Sequence, residues 1–523
     1  MKTIQSKKRV IITCIIWCSF VCNSIQCHMQ DMLNAGQYIG NQNENIVMQD
    51  MGFSSFVYPG KMYYEQLLHQ KEERKWSIRL TLHSSVATKG FDSNSQRQPL
   101  ASALFGGTVA LKDVYLLAKL ADNNLIRIDN SNPRIPERPQ GSTDGFGSFE
   151  SDQYLSLLAE AELDANAESR ELGCNVCATY RFFVGDKKQT SFTFGTIIPI
   201  KNRLHVFNLN VQGGSLFTQT FIAFGVVRAT PLTQFSSDFT GLLDFFERGV
   251  LAEKDIVFKG RQRGMGFGDI SLFGLLDFAE RFEHFNCLQM GINMVLPTGR
   301  VGSQNILFPI SLGNGSLQFD FFANMIFATQ ARMVNPAFHV VGNIAPSYAT
   351  QQRIPHVITN TIREQISVLN NLKEELLPPP SYEDYYVDPF NEFDTTVPAF
   401  ANISFPVTLH RANKVTFGFG NYFYDVFSSG LQLSIFYDIM HKDGDRFKLD
   451  KKQCKQASIT VSDGALDFES VYNISCERAH ILSWTLNYQF KNLVMLNMGS
   501  QHVIAGKNVT REHEFFVSFI AVF

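Results

Sequence analysis

The most restrictive feature of this sequence is strict two-residue alternation, held over about ten positions and repeated in well-separated parts of the chain. In EFFVSFIAVF, residues 514–523, an extended backbone puts Phe515, Val517, Phe519, Ala521 and Phe523 on one side and Glu514, Phe516, Ser518, Ile520 and Val522 on the other. Leu288, Met290, Ile292, Met294 and Leu296 oppose Cys287, Gln289, Gly291 and Asn293 in the same way. Leu431, Leu433, Ile435, Tyr437 and Ile439 oppose Gln432, Ser434, Phe436 and Asp438, while Leu482, Trp484, Leu486, Tyr488 and Phe490 oppose Ser483, Thr485, Asn487 and Gln489. A period of two argues for strands with one apolar and one polar face.

Further strands are readable at 76–84, 172–183, 191–200, 269–281, 316–330, 338–348, 415–427 and 493–501. Many exceed the usual five or six residues of soluble strands and approach the roughly 9–11 that cross a bilayer at a tilt. From Leu172 onward short and long connections alternate, provided that 401–410 belongs to a loop. Such asymmetry suits a closed barrel with short turns at one rim and long loops at the other. The expectation is an all-β chain: a single antiparallel transmembrane β-barrel of about 12 strands, with 10–16 compatible, and long external loops near 202–268, 349–413 and 442–477. Helical spacing at 236–255, through Phe239, Leu242, Leu243, Phe246 and Val250, and at 357–377 places short helices in two of those loops.

The 523 residues carry a net charge of -3 and hold 47 Phe against 3 Trp, so no basic surface for nucleic acid is expected. Near the start, Lys7, Lys8 and Arg9 precede an apolar stretch from Val10 to Val21, too short to span a bilayer as a helix. Residues 1–24 are therefore expected to be an export signal, residues 25–75 an N-terminal extension or plug-like segment, and residues 76–523 the barrel. A lipoprotein signal at Cys27 is disfavoured by the bulky Gln26 before it. Beyond this leader no run of 18 apolar residues occurs, so any crossing must use strands.

These residues resemble the exported β-barrels of the Gram-negative outer membrane. Phe515, Val517, Phe519 and Phe523 match their C-terminal insertion signal, an aromatic last residue preceded by apolar residues at alternate positions, from which Ala521 departs. GFGDISLFGLLDF and GINMVLPTGRVGS followed by ISLGNGSLQFDFFANMIF are similar to segments of outer-membrane porins and small-molecule transporters. The resemblance implies a bacterial outer-membrane location, contacts with outer-membrane lipid and the barrel-assembly machinery, and no cofactor.

Under that reading Gln289, Asn293, Gln432, Ser434, Asp438, Asn487 and Gln489 are candidate pore-lining residues, with Asp277 and Arg281 adding a transverse field. The mostly neutral lining suits passive uptake of small molecules, with the solute and the oligomeric state left open. A surface or adhesion barrel with a plugged lumen is the alternative, and a secreted β-sandwich a third reading. Tyr180, Phe182, Tyr488 and Phe490 are expected in an aromatic girdle at the short-turn rim. Cys174 and Cys177 fall on opposite faces of one strand and form no pair, whereas Cys454 and Cys476 share a loop in which a disulfide is expected. No catalytic, metal or cofactor motif is legible; the resemblance admits barrel hydrolases that use a His and a Ser on one wall, for which His480, His502 and His513 are the candidates, but nothing in the sequence pairs them with a nucleophile, and they read as solvated rim histidines.

Overall fold

The computed structural model describes residues 76–100, 109–110, 162–184, 190–212, 257, 259–278, 284–303, 306, 310–328, 334–353, 404–424, 430–456, 468–490 and 494–523. Twelve strands close into one antiparallel barrel. They are β1 Trp76–Phe91, β2 Glu162–Val184, β3 Thr190–Gln212, β4 in two segments Arg261–Phe267 and Ile270–Asp277, β5 Phe285–Leu296 and β6 Gln318–Phe327. The circuit continues through β7 Val334–Ile344, β8 Lys414–Tyr424, β9 Leu431–Lys442, β10 Glu477–Phe490, β11 Val494–Lys507 and β12 Val509–Val522. Each strand pairs with the next, and β1 pairs with β2 on one side and β12 on the other.

The seam explains the alternation at residues 514–523. Ile78 lies opposite Ala521, Leu80 opposite Phe519 and Leu82 opposite Val517, and the pairing runs up to Phe91 and Val509. Below the last register pair, Phe523 N donates to Trp76 O at 2.9 Å. A closed ladder is what hydrocarbon demands, since every unpaired backbone group there costs several kcal/mol.

The alternation is inverted relative to a soluble barrel. Trp76, Ile78, Leu80 and Leu82 on β1, Met290 and Ile292 on β5, Phe417 and Phe419 on β8, and Phe515 and Phe519 on β12 are exposed on the outside. Their intervening neighbours are polar and buried, among them Ser77, Arg79, Thr81 and His83 on β1. This excludes the β-sandwich reading, whose apolar faces would be packed together. No described helix is long and apolar enough to cross a membrane.

At the short-turn rim the expected aromatic girdle is present. Trp76 and Tyr180 rings lie 4.7 Å apart, Tyr180 and Phe194 5.5 Å, Tyr488 and Phe490 4.5 Å, and Phe285 and Phe327 5.1 Å. Rings of this kind sit where the apolar layer meets water. At the other rim, residues 404–410 leave the barrel: Ser404–His410 pairs with Tyr348–Arg353 and Arg446–Leu449 in a separate three-stranded sheet. The β9–β10 connection adds two short helices, α1 Lys451–Gln456 and α2 Phe468–Ser475.

Three features differ from expectation. β2 and β3 run to 23 residues each, about twice a bilayer crossing, and near the upper end of β2 the outward Glu168 and Arg170 form an exposed ion pair at 2.6 Å. β4 stops at Asp277, short of the expected strand end at 281. The β11–β12 connection at the long-loop rim is a one-residue turn at Asn508, with φ of 51°, so the alternation of short and long loops fails at the last hairpin. The helices expected at 236–255 and 357–377, the export signal and the 25–75 extension lie outside the described residues.

Leu82 is 48% exposed and stands six residues above Trp76, close to mid-height of the apolar layer. Leu82→Arg should destabilise the barrel by about 2–4 kcal/mol, whereas the outward, higher Val86→Arg should cost less. Urea titration of protein refolded into vesicles, followed by the loss of the heat-modifiable gel band, measures the difference.

Candidate functional site: the barrel lumen

Pairing register converts inward residues from distant strands into continuous rows across the wall. One row runs Ser191, Asp277, Gln289, Asn324, His339, Gly418 and Asp438 over six strand interfaces, each residue opposite the next. Asn324 Nδ2 donates to Gln289 Oε1 at 3.4 Å, and His339 Nε2 lies 3.1 Å from Asp438 Oδ1. Gly418 permits that approach, because a Cβ there would overlap both the His339 ring and Asp438 Oδ1.

A second row joins Gln432, Asn487, Asn497, Ser518, Thr81 and Asn175. Thr81 and Ser518 hydroxyls are 2.9 Å apart, and Arg79 Nη2 donates to Ser518 Oγ at 3.1 Å. Nearer the long-loop rim, Asp320 accepts from Asn293 Nδ2 at 2.8 Å and from Asn343 Nδ2 at 2.5 Å. In the same row Lys442 Nζ donates to Glu477 at 3.1 Å and, just beyond the end of its strand, to Asp445 at 3.2 Å.

The wall from β11 to β3 carries a cluster of buried charge. Gln501, Glu514, Ser85, Glu171 and Arg203 face one another in register. Gln501 donates to Glu514, and Glu171 accepts from Arg203 while lying 3.0 Å from His83 Nε2. Arg203 also donates to the Ser311 carbonyl, tying the β5–β6 connection to the inner wall. Glu171 stays buried because Arg203 and His83 face it, and Glu514 because Gln501 donates to it.

Apolar patches interrupt these rows. Phe273, Leu275, Ile197 and Phe322 form one, Tyr422, Phe436, Ile326 and Ala337 another, and Met440, Ile481 and Val503 a third. The interior is thus amphipathic rather than the mostly neutral polar lining expected.

Of the expected lining residues, Gln289, Asn293, Gln432, Ser434, Asp438 and Asn487 are all inward and at most 5% exposed. Asp277 and Gln489 are half-buried, the first opposite Gln289 and the second opposite Met495 at the short-turn rim. Arg281 lies outside the described residues. Residues not anticipated are Arg79, His83, Glu171, Arg203, His339, Glu512 and Glu514. The signal for Arg79 and His83 was present in WSIRLTLHSS, whose alternation puts them opposite Trp76, Ile78, Leu80 and Leu82.

Cys174 and Cys177 do fall on opposite faces, half-buried outside and buried inside. The expected Cys454–Cys476 disulfide is not formed: both are free thiols, Cys454 buried on α1 and Cys476 between α2 and β10. The carbonyl of Cys476 accepts instead from Asn508 Nδ2 at 2.9 Å, fixing that residue to the β11–β12 turn. Burial and the Asp450 carboxylate push the Cys454 thiol up.

No family model matches the sequence, and no curated protein matches it. Among solved structures, the chain is similar to the COG4313 outer membrane channel from Pseudomonas putida F1, at 8% identity over 89% of this chain and 100% of that one, TM-score 0.43. It is also similar to the Ralstonia pickettii toluene transporter TbuX, at 7% identity over 93% of this chain and 100% of that one, TM-score 0.33. A Pseudomonas aeruginosa FadL homologue matches at 7% identity over 92% of this chain and 97% of that one, TM-score 0.30.

Gly418→Ala should destabilise the barrel by about 1–3 kcal/mol through overpacking against His339 and Asp438. In a His339→Ala background the same change should cost much less, and a double-mutant cycle by urea unfolding measures that coupling. Alkylation without reductant, followed by peptide mass mapping, should modify both Cys454 and Cys476 once the protein is unfolded.

Proposed function

We propose that this barrel is a passive outer-membrane channel for small neutral or amphipathic solutes. One observation carries the reading. Gln289 Nε2, Asn293 Oδ1, Gln432 Oε1, Ser434 Oγ and Asn487 Nδ2 are buried polar atoms with no hydrogen-bond partner among the described residues. All five belong to inward side chains of β5, β9 and β10. A buried donor or acceptor left unpaired costs about 1–3 kcal/mol, so these atoms call for water or a passing solute.

The lining supports a substrate class. Amides and hydroxyls exchange hydrogen bonds with neutral polar groups, while Phe273, Phe322, Tyr422 and Phe436 offer apolar contact. The charges are largely paired with one another, which suits weak rather than strong ion selectivity. The outward apolar belt and the aromatic girdle support placement in an outer membrane.

The near-complete burial of inward side chains favours a second reading, a surface barrel whose lumen stays closed while the long-loop rim acts. Purified barrel in planar bilayers should show stepwise conductance, and vesicles containing it should swell in small neutral solutes. Gln432→Leu with Asn487→Leu should lower both rates severalfold without altering heat modifiability. Electrical silence and no swelling from fully folded protein would replace the channel with the closed surface barrel.

A further inference from the structure

On the outer wall, away from the lumen, three residues that the sequence left unrelated meet. Ser500 and His502 lie two apart on β11 and so share its outward face, and His513 is the register partner of His502 on β12. Ser500 Oγ is 2.9 Å from His502 Nε2, and His502 Nδ1 is 2.8 Å from His513 Nδ1. When His502 Nδ1–H donates to His513 Nδ1, Nε2 of His502 is left as the acceptor for the Ser500 hydroxyl proton. Nucleophile, base and orienting group within hydrogen-bond reach define a hydrolytic triad by geometry rather than by sequence order. Solvated rim histidines would show no such chain, and His480 stands outside it, hydrogen-bonded to Tyr437 at 2.6 Å.

The surroundings select the substrate. Up the outward column of β12 stand Phe519, Val517 and Phe515, then His513, then Arg511. Lys89 lies opposite Arg511 in register, and the guanidinium groups of Arg97 and Arg511 lie within electrostatic reach of His513. Ten residues separate Phe523 from His513, which along a strand tilted about 40° lifts His513 about 25 Å, the height of the apolar band. Apolar wall, ester-cleaving group and cations thus follow the order of acyl chain, ester and phosphate in a glycerophospholipid. We infer that Ser500, His502 and His513 form an acyl-ester hydrolase site for membrane glycerophospholipids on the outer barrel wall.

In the reaction Ser500 Oγ bonds to the ester carbonyl carbon as its proton passes to His502 Nε2. The tetrahedral intermediate collapses, the bond to the glycerol oxygen breaks, and His502 returns the proton to that oxygen to release a lysophospholipid. Water then loses a proton to His502 and attacks the acyl carbon, and the Ser500 oxygen leaves and regains its proton as the fatty acid departs. His513 is a positioning residue that holds the ring of His502. Ser500 is only 5% exposed and has Trp484 and Phe515 as register partners, so the ester must enter between two outward aromatic side chains, which keep bulk water from the nucleophile.

The test uses folded full-length protein with mixed micelles of phosphatidylglycerol and phosphatidylethanolamine in detergent. Fatty acid should be released, a fluorophosphonate probe should label the protein, and Ser500→Ala should abolish both while retaining heat modifiability. His502→Asn should lower kcat by about a thousandfold. His513→Gln should lower kcat with little change in KM and alter the pH profile, a response that a merely structural histidine would not give. Folded wild-type protein that neither releases fatty acid nor takes up the probe overturns the assignment, as does release that persists in Ser500→Ala.

Discussion

The backbone hydrogen-bond circuit through β1 and β12 is the constraint on which everything else in this barrel rests. Hydrocarbon offers no partner for an N–H or C=O, so a sheet within it must have no edge. The first and last described strands meet along their length, from Ser77 opposite Val522 up to Phe91 opposite Val509. Among the described residues, the three-stranded sheet built from 348–353, 404–410 and 446–449 has unpaired edges, and it is separate from the barrel sheet. Closure and location are in this sense one requirement.

Closure also divides the side chains. Once the cylinder is shut, every second residue must face lipid and the others must share a confined interior, where polar groups survive only in company. The interior meets that condition by stacking like with like across strands. Asp320 sits between Asn293 and Asn343, Glu171 between His83 and Arg203, and His339 reaches Asp438 across the missing side chain of Gly418. Polar rows alternate with patches such as Phe273 with Phe322, so the interior holds both hydrogen-bonding and apolar surface. Outside, the same alternation leaves Ser500, His502 and His513 as polar exceptions on a lipid-facing surface, which is why their mutual contacts are informative.

Much of the fold was readable residue by residue. The windows at 288–296, 431–439 and 482–490 gave the correct inward face, and with it Gln289, Asn293, Gln432, Ser434, Asp438 and Asn487. The N-terminal wall was legible by the same rule, yet His83 is far along the chain from Glu171, and Arg79 from Ser518, so these contacts left no local trace. Strand ends were poorer. β4 breaks at Gly268 and Asp269, where Asp269 accepts backbone N–H groups of Gly299 and Asn314 instead of continuing the ladder. Cys454 and Cys476 shared a loop in the sequence, but α1 and α2 place them in different local environments and leave both as thiols.

What the amino-acid order determined by itself is which side of the wall each residue takes, because a period of two is a property of neighbours along the chain. Tertiary structure alone decided which residues meet within a face. That depends on the register between strands that are far apart in sequence, and a shift of one residue would reverse a whole strand. His339 with Asp438, Glu171 with His83, and Ser500 and His502 with His513 all owe their contact to register and turn geometry, which no local pattern encodes.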